Sequence, residues 1–84
     1  MTRVQNYRSL EPGTIVRAGF SAGKNKDGMM MIDHSRESYQ HFLVLSVTDA
    51  PCWSSDEQPT DGRVIVLTDD GIGFFSGLAV LYVD

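Results

Sequence analysis

The sequence predicts an all-β fold, a five-stranded antiparallel barrel or open sandwich with long loops. Three observations carry this. Apolar runs of strand length recur, some alternating with polar residues and some apolar on both faces. Glycine, proline and aspartate punctuate the chain between them, as in Glu11-Pro12-Gly13, Asp27-Gly28 and Asp69-Asp70-Gly71. No stretch keeps helical apolar spacing over three turns.

The elements follow in order. Residues 1–9 are polar and mixed, and are expected to be loosely held. In Leu10-Glu11-Pro12-Gly13, Pro12 fixes φ and Gly13 frees it, which leads the chain into a first strand. Over residues 14–20, Thr14, Val16, Ala18 and Phe20 share one face, and Ile15 and Arg17 take the other. Residues 21–28 are rich in Gly, Lys, Asn and Asp and read as a loop. Met29-Met30-Met31-Ile32 is a second strand, apolar on both faces. Residues 33–40 are polar and read as a loop or one helical turn capped by Asp33. His41-Phe42-Leu43-Val44-Leu45-Ser46-Val47-Thr48 is a central strand. Residues 49–62, with Pro51, Cys52, Trp53 and Pro59, read as a fourteen-residue loop. The ending is a hairpin. Arg63-Val64-Ile65-Val66-Leu67-Thr68 is rich in β-branched and apolar residues, Asp69-Asp70-Gly71 turns the chain, and Ile72-Gly73-Phe74-Phe75 returns. Beyond Ser76-Gly77, Leu78, Val80 and Tyr82 share one face of a last strand, with Ala79, Leu81 and Val83 on the other.

Length and composition bound what such a chain does. Eighty-four residues make one domain, spanning 1–84, with 42% hydrophobic residues, too many for disorder. The net charge is −4, and the seven Lys and Arg residues are scattered along the sequence. Backbone binding to nucleic acid relies on clustered Lys and Arg, so a nucleic-acid partner is disfavoured. One cysteine permits no internal disulfide, which fits a reducing compartment. The first residues lack the apolar run of a secretory leader, and no apolar run approaches a membrane span. The expected setting is cytoplasmic, with no membrane.

Two stretches resemble an SH3-like small barrel. Leu10-Glu11-Pro12-Gly13-Thr14-Ile15-Val16-Arg17-Ala18 looks like the leader of that fold. Gly73-Phe74-Phe75-Ser76-Gly77-Leu78-Ala79-Val80 is similar to its ending, a glycine and aromatic pair before a 3₁₀ turn and the last strand. The resemblance implies the fold and not the proline-rich ligand, because no tryptophan pair occupies the middle strands. Pro12-Gly13-Thr14-Ile15-Val16 and Phe42-Leu43-Val44-Leu45-Ser46 also resemble strands of the plasmid-maintenance toxin endoribonucleases. Those enzymes place cationic groups beside a scissile phosphate, which this acidic chain is poorly equipped to do.

The candidate sites are binding sites. Trp53, in a polar loop, has the chemistry of an interface anchor, against the alternative that it plugs one end of the fold. Met29 and Met31 bring adaptable thioethers to a strand with two apolar faces, and Phe74 and Phe75 add aromatic area. Gly23, Lys24, Asn25 and Lys26 form the most phosphate-friendly stretch, against the alternative of a solvated hairpin loop, and they lack P-loop spacing. His34, His41 and Cys52 match no zinc pattern, and no nucleophile elbow is present. No catalytic residue, metal site or cofactor is expected. The first expectation is a non-enzymatic protein–protein module, an inhibitor or adaptor, by analogy an accessory protein of a phage or mobile element. The alternative is an oligomeric binder of an anionic small ligand such as a nucleotide, and the third is an RNA-cleaving toxin. Three strands apolar on both faces are many for one small barrel, so a protein partner or a second copy is expected to cover what is left over.

Overall fold

The computed structural model describes residues 2–24, 30–32, 40–49, 52–54, 58–60, 62–69, 71–77 and 79–84. Among them run ten strands and one 3₁₀ turn. These are β1 (Thr2–Arg3), the turn Tyr7–Ser9, β2 (Ile15–Ala18), β3 (Phe20–Lys24), β4 (Met30–Ile32), β5 (Gln40–Thr48), β6 (Cys52–Ser54), β7 (Gln58–Thr60), β8 (Arg63–Thr68), β9 (Gly71–Ser76) and β10 (Tyr82–Val83). Six strands make one antiparallel sheet in the order β1-β10-β2-β5-β8-β9. β3 with β4 and β6 with β7 form two separate ribbons. The chain is all-β, as its patterning predicts. The main sheet has six strands rather than five, and it is not closed, since no ladder joins β1 to β9. No helix among the described residues is long and apolar enough to cross a membrane.

Turn chemistry delivers the strands to their partners. Pro12 and Gly13 occupy the two central positions of a turn in which the Thr14 N–H donates to the Glu11 carbonyl at 3.1 Å. Gly13 has φ +95°, the positive value that the third residue of such a turn demands. The Gly13 N–H then donates to the Val44 carbonyl, and the Val44 N–H donates to the Thr14 carbonyl, both at 2.8 Å. Those two bonds start the ladder in which Ile15 faces Leu43 and Val16 faces Phe42. The expected hairpin is present as β8 and β9, with Thr68 opposite Gly71. Gly71 opens the return strand at φ +121°, and the Thr68 hydroxyl donates to its carbonyl at 2.8 Å.

A bulge sets the faces of β5. Val44 pairs with Val66, but Ser46 pairs with Ile65, so Leu45 is an extra residue on its strand. Phe42 and Val44 point inward before the bulge, and Val47 packs on the core after it. Strict alternation would have placed Ser46 inside and Val47 outside. The inner face carries Val16, Ala18, Phe42, Val44, Val64, Val66 and Phe75, with Leu81 joining them just before β10. Phe42 and Phe75 meet edge to face, 5.2 Å between centroids. Ala79, Leu81 and Val83 supply the inward face of the last segment, as the alternation predicts, although only Tyr82–Val83 forms a strand there.

Three stretches depart from expectation. The N-terminal residues are built into the fold rather than loosely held. Thr2 faces Val83, the Val4 N–H donates to the Leu81 carbonyl at 2.8 Å, and Tyr7 is buried in the core with Leu10. Asn6 caps the 3₁₀ turn by accepting the Arg8 N–H at 3.0 Å. The supposed loop at 21–28 is strand as far as Lys24, paired irregularly with β4, whose Met30 is buried in the core. The supposed loop at 49–62 contains the β6–β7 ribbon, with Trp53 opposite Pro59. A two-stranded ribbon tolerates that proline because it has outer edges where no N–H is needed.

Gly62 shows how tightly these parts meet. It adopts φ +95°, and a Cβ there would run into the Thr48 carbonyl oxygen and the Tyr7 hydroxyl. Gly13 shares the same φ but has open space around it. Gly13→Ala should therefore cost only the backbone strain, about 1 kcal/mol, and Gly62→Ala about 2 kcal/mol or more. Thermal unfolding checks this: for a domain of this size the second variant should melt roughly 10 °C below the parent, and equal losses would mean that the Tyr7 contact is immaterial.

Candidate functional site

Two surface features have site-like geometry. The first is a shallow, open cleft of about 380 Å³ lined by Arg8, Leu10, Pro12, Ser46, Val47 and Asp49. Its polar centre is Asp49 Oδ1, which accepts from Arg8 Nε at 2.9 Å and from the Tyr7 hydroxyl at 3.1 Å. Arg8 also lies over the Tyr7 ring, 4.8 Å from its centroid. The hydrogen bonds from Arg8 and then Tyr7, with the Arg8 charge, hold the Asp49 carboxyl below its ordinary range. A carboxylate kept ionised by two donors is a poor proton donor, and among the described residues the cleft lining holds no second acid, histidine or cysteine. Its chemistry is that of a clasp tying the 3₁₀ turn to the end of β5.

The second feature is the outer face of the main sheet. Register across adjacent strands aligns Ile15 with Leu43, Leu43 with Leu67, and Leu67 with Ile72. These four aliphatic side chains form one row over β2, β5, β8 and β9, about 14 Å long at the usual strand spacing. Ile15 and Leu67 are each 46% exposed and Ile72 is 66% exposed. A parallel row beside it aligns Arg3, Tyr82, Arg17 and His41 over β1, β10, β2 and β5. On its other side stand Ile65 and Phe74, then Thr48, Arg63 and Ser76. The Arg63 guanidinium covers the Phe74 ring at 4.6 Å.

The structure distributes the sequence-expected residues unevenly. Phe75 is fully buried against Val64 and Phe42, so it has no surface to offer a partner. Phe74 lies on the outer face but is 8% exposed under Arg63. Met31 lies in β4 and Trp53 in β6, away from the main sheet's ladders. Gly23 and Lys24 belong to strand β3 rather than to a loop. Met29, Asn25 and Lys26 lie outside the described residues, and so does His34. No three metal-binding side chains come together among the described residues. The aliphatic row is what the sequence reading missed. Its signal was present, because Ile15 falls opposite Val16 and Ala18, and β5 and β8 are apolar on both faces.

Folding favours the ionised form of Asp49, so the unfolded chain binds more protons than the folded one in the acid range. The stability this contributes is present above the unfolded value near pH 3.9 and is lost as pH falls through the lower folded value. In Asp49→Asn that part of the acid dependence should vanish. Denaturant titrations of parent and variant at stepped pH check it, the gap narrowing as pH falls and also with added salt. A gap independent of pH would break the link to Arg8 and Tyr7. No protein-family model matches the chain, and no curated protein or solved structure matches it either.

Proposed function

We propose that this chain acts by binding a protein, with the outer face of its sheet as the interface. The observation that carries the reading is the row Ile15, Leu43, Leu67 and Ile72, contiguous across four strands, with Leu43 half-buried and the other three exposed. An antiparallel sheet with one solvated face ordinarily alternates apolar inside with polar outside. Aliphatic residues that follow one another across strands make a patch, and patches of this kind mark interaction surfaces. The inner face already supplies the core, so the fold gains nothing from a second apolar face in isolation. A non-enzymatic inhibitor or adaptor fits this surface, and the SH3-like character of the leader and ending belongs to the same proposal. The anion-binding and RNA-cleaving readings gain no support from the arrangement of the described side chains.

Ile72→Asp and Leu67→Asp test the reading. Both side chains are exposed, so the fold should lose no more than about 0.5 kcal/mol. Partner capture from the native host, read by native mass spectrometry, should fall at least about tenfold for each. Undiminished capture by both folded variants would refute the interface.

A further inference from the structure

The chain is acidic, with eleven Asp and Glu against seven Lys and Arg, yet the apolar row is bordered by the opposite charge. Arg3 and Arg17 stand in the row on one side; on the other, Arg63 stands one row beyond Ile65 and Phe74, with its guanidinium over the Phe74 ring. None of the residues paired in these rows is Asp or Glu; Asp69 follows at the end of β8, and Asp84 meets Arg17 from beyond β10. An apolar centre with a charged rim is the anatomy of a protein interface, and the rim selects the partner by charge. We propose that the segment docking here is an apolar stretch bordered by aspartate or glutamate, an inference that rests on the binding reading of the same face.

The molecule shows the chemistry on a small scale. Asp84 Oδ1 lies 3.0 Å from Arg17 Nη2, a carboxylate brought to the cationic row from the end of β10. Arg3 and His41, both exposed, extend that row on either side and add N–H donors. Successive outward residues on a strand are about 7 Å apart, so one segment over the aliphatic row reaches the cationic row with its flanking side chains. A second copy of this chain fits less well. Face-to-face pairing about a two-fold axis sets the aliphatic rows together and then opposes arginine rows to arginine rows. A nucleic acid would use Arg3, Tyr82 and Arg17 but leave Ile72 and Leu67 in water, because aliphatic side chains give bases no stacking surface.

Selection from a random peptide phage library against the full chain tests this. Peptides that lose binding to Leu67→Asp should be enriched in aliphatic residues flanked by Asp or Glu. Synthetic copies of them should bind Arg3→Glu and His41→Glu at least about tenfold more weakly, and should weaken between roughly 0.05 and 0.5 M salt. Face-dependent peptides without acidic enrichment, or indifferent to Arg3→Glu and His41→Glu, would overturn the acidic partner and leave the docking face standing. A selection with no Leu67-dependent peptide would overturn the face itself. Phosphatidylglycerol vesicles bound by the parent and not by Leu67→Asp would reassign the face to lipid. An oligothymidine bound by the parent and not by Arg3→Glu would reassign the cationic row to nucleic acid. Concentration-dependent dimers lost in Leu67→Asp would make the occupant a second copy. Each of these last three outcomes overturns the proposal.

Discussion

The pairing of Val44 with Val66 sets the phase of the whole sheet. Strand side chains alternate, so a slip of β8 by one residue against β5 would turn β8 over. Val64 and Val66 would leave the core, and Leu67 would enter it. Hydrophobicity alone barely resists such a slip, because both faces of these strands are aliphatic. The resistance comes from shape and from fixed points. Gly13 ties its N–H to Val44, the Leu45 bulge corrects the phase beyond that point, and Gly62 leaves room only for Tyr7 and the Thr48 carbonyl. Packed interiors are dense enough that valine and leucine are not interchangeable in place, so these anchors need only settle a near balance.

That near balance also explains what was legible in the sequence. The Pro12-Gly13 turn, the β8–β9 hairpin and the inward set Ala79, Leu81 and Val83 rest on local stereochemistry and alternation, and all were readable. The ribbons were not. β3 and β6–β7 run through Ser, Gly and Pro, residues that signal turns, and their pairing is a tertiary choice that overrides local preference. Tyr7 was missed because one aromatic residue among polar neighbours has no period to betray it. Phe75 was assigned to a partner and belongs to the core, since a strand apolar on both faces does not say which face is inside. The bulge was hidden for the same reason, although Ser46, next in alternation after Phe42 and Val44, was its trace.

Charge follows the same division of the molecule. Of the described carboxylates, Glu11 and Asp49 are exposed, Asp69 is exposed in the turn just beyond Leu67, and Asp84 reaches Arg17 from the end of β10. Arginines line the apolar face from both sides, and one of them, Arg63, shields Phe74. Like-charged borders on an apolar patch oppose its self-association and favour an oppositely charged partner, which is the physical basis of the proposed docking face. The Asp49 clasp ties the 3₁₀ turn to the end of β5.

The pairing of Thr2 with Val83 brings the first and last strands side by side. Of all the ladders it joins the parts of the chain most distant in sequence, and closing so large a loop carries the greatest entropic penalty. Two residue pairs, the bond from the Val4 N–H to the Leu81 carbonyl and the packing of Val4 and Val83 on the core offset that penalty. Joining Thr2 and Val83 by a short linker and opening the backbone elsewhere, a circular permutation, would turn the contact most distant in sequence into a local hairpin.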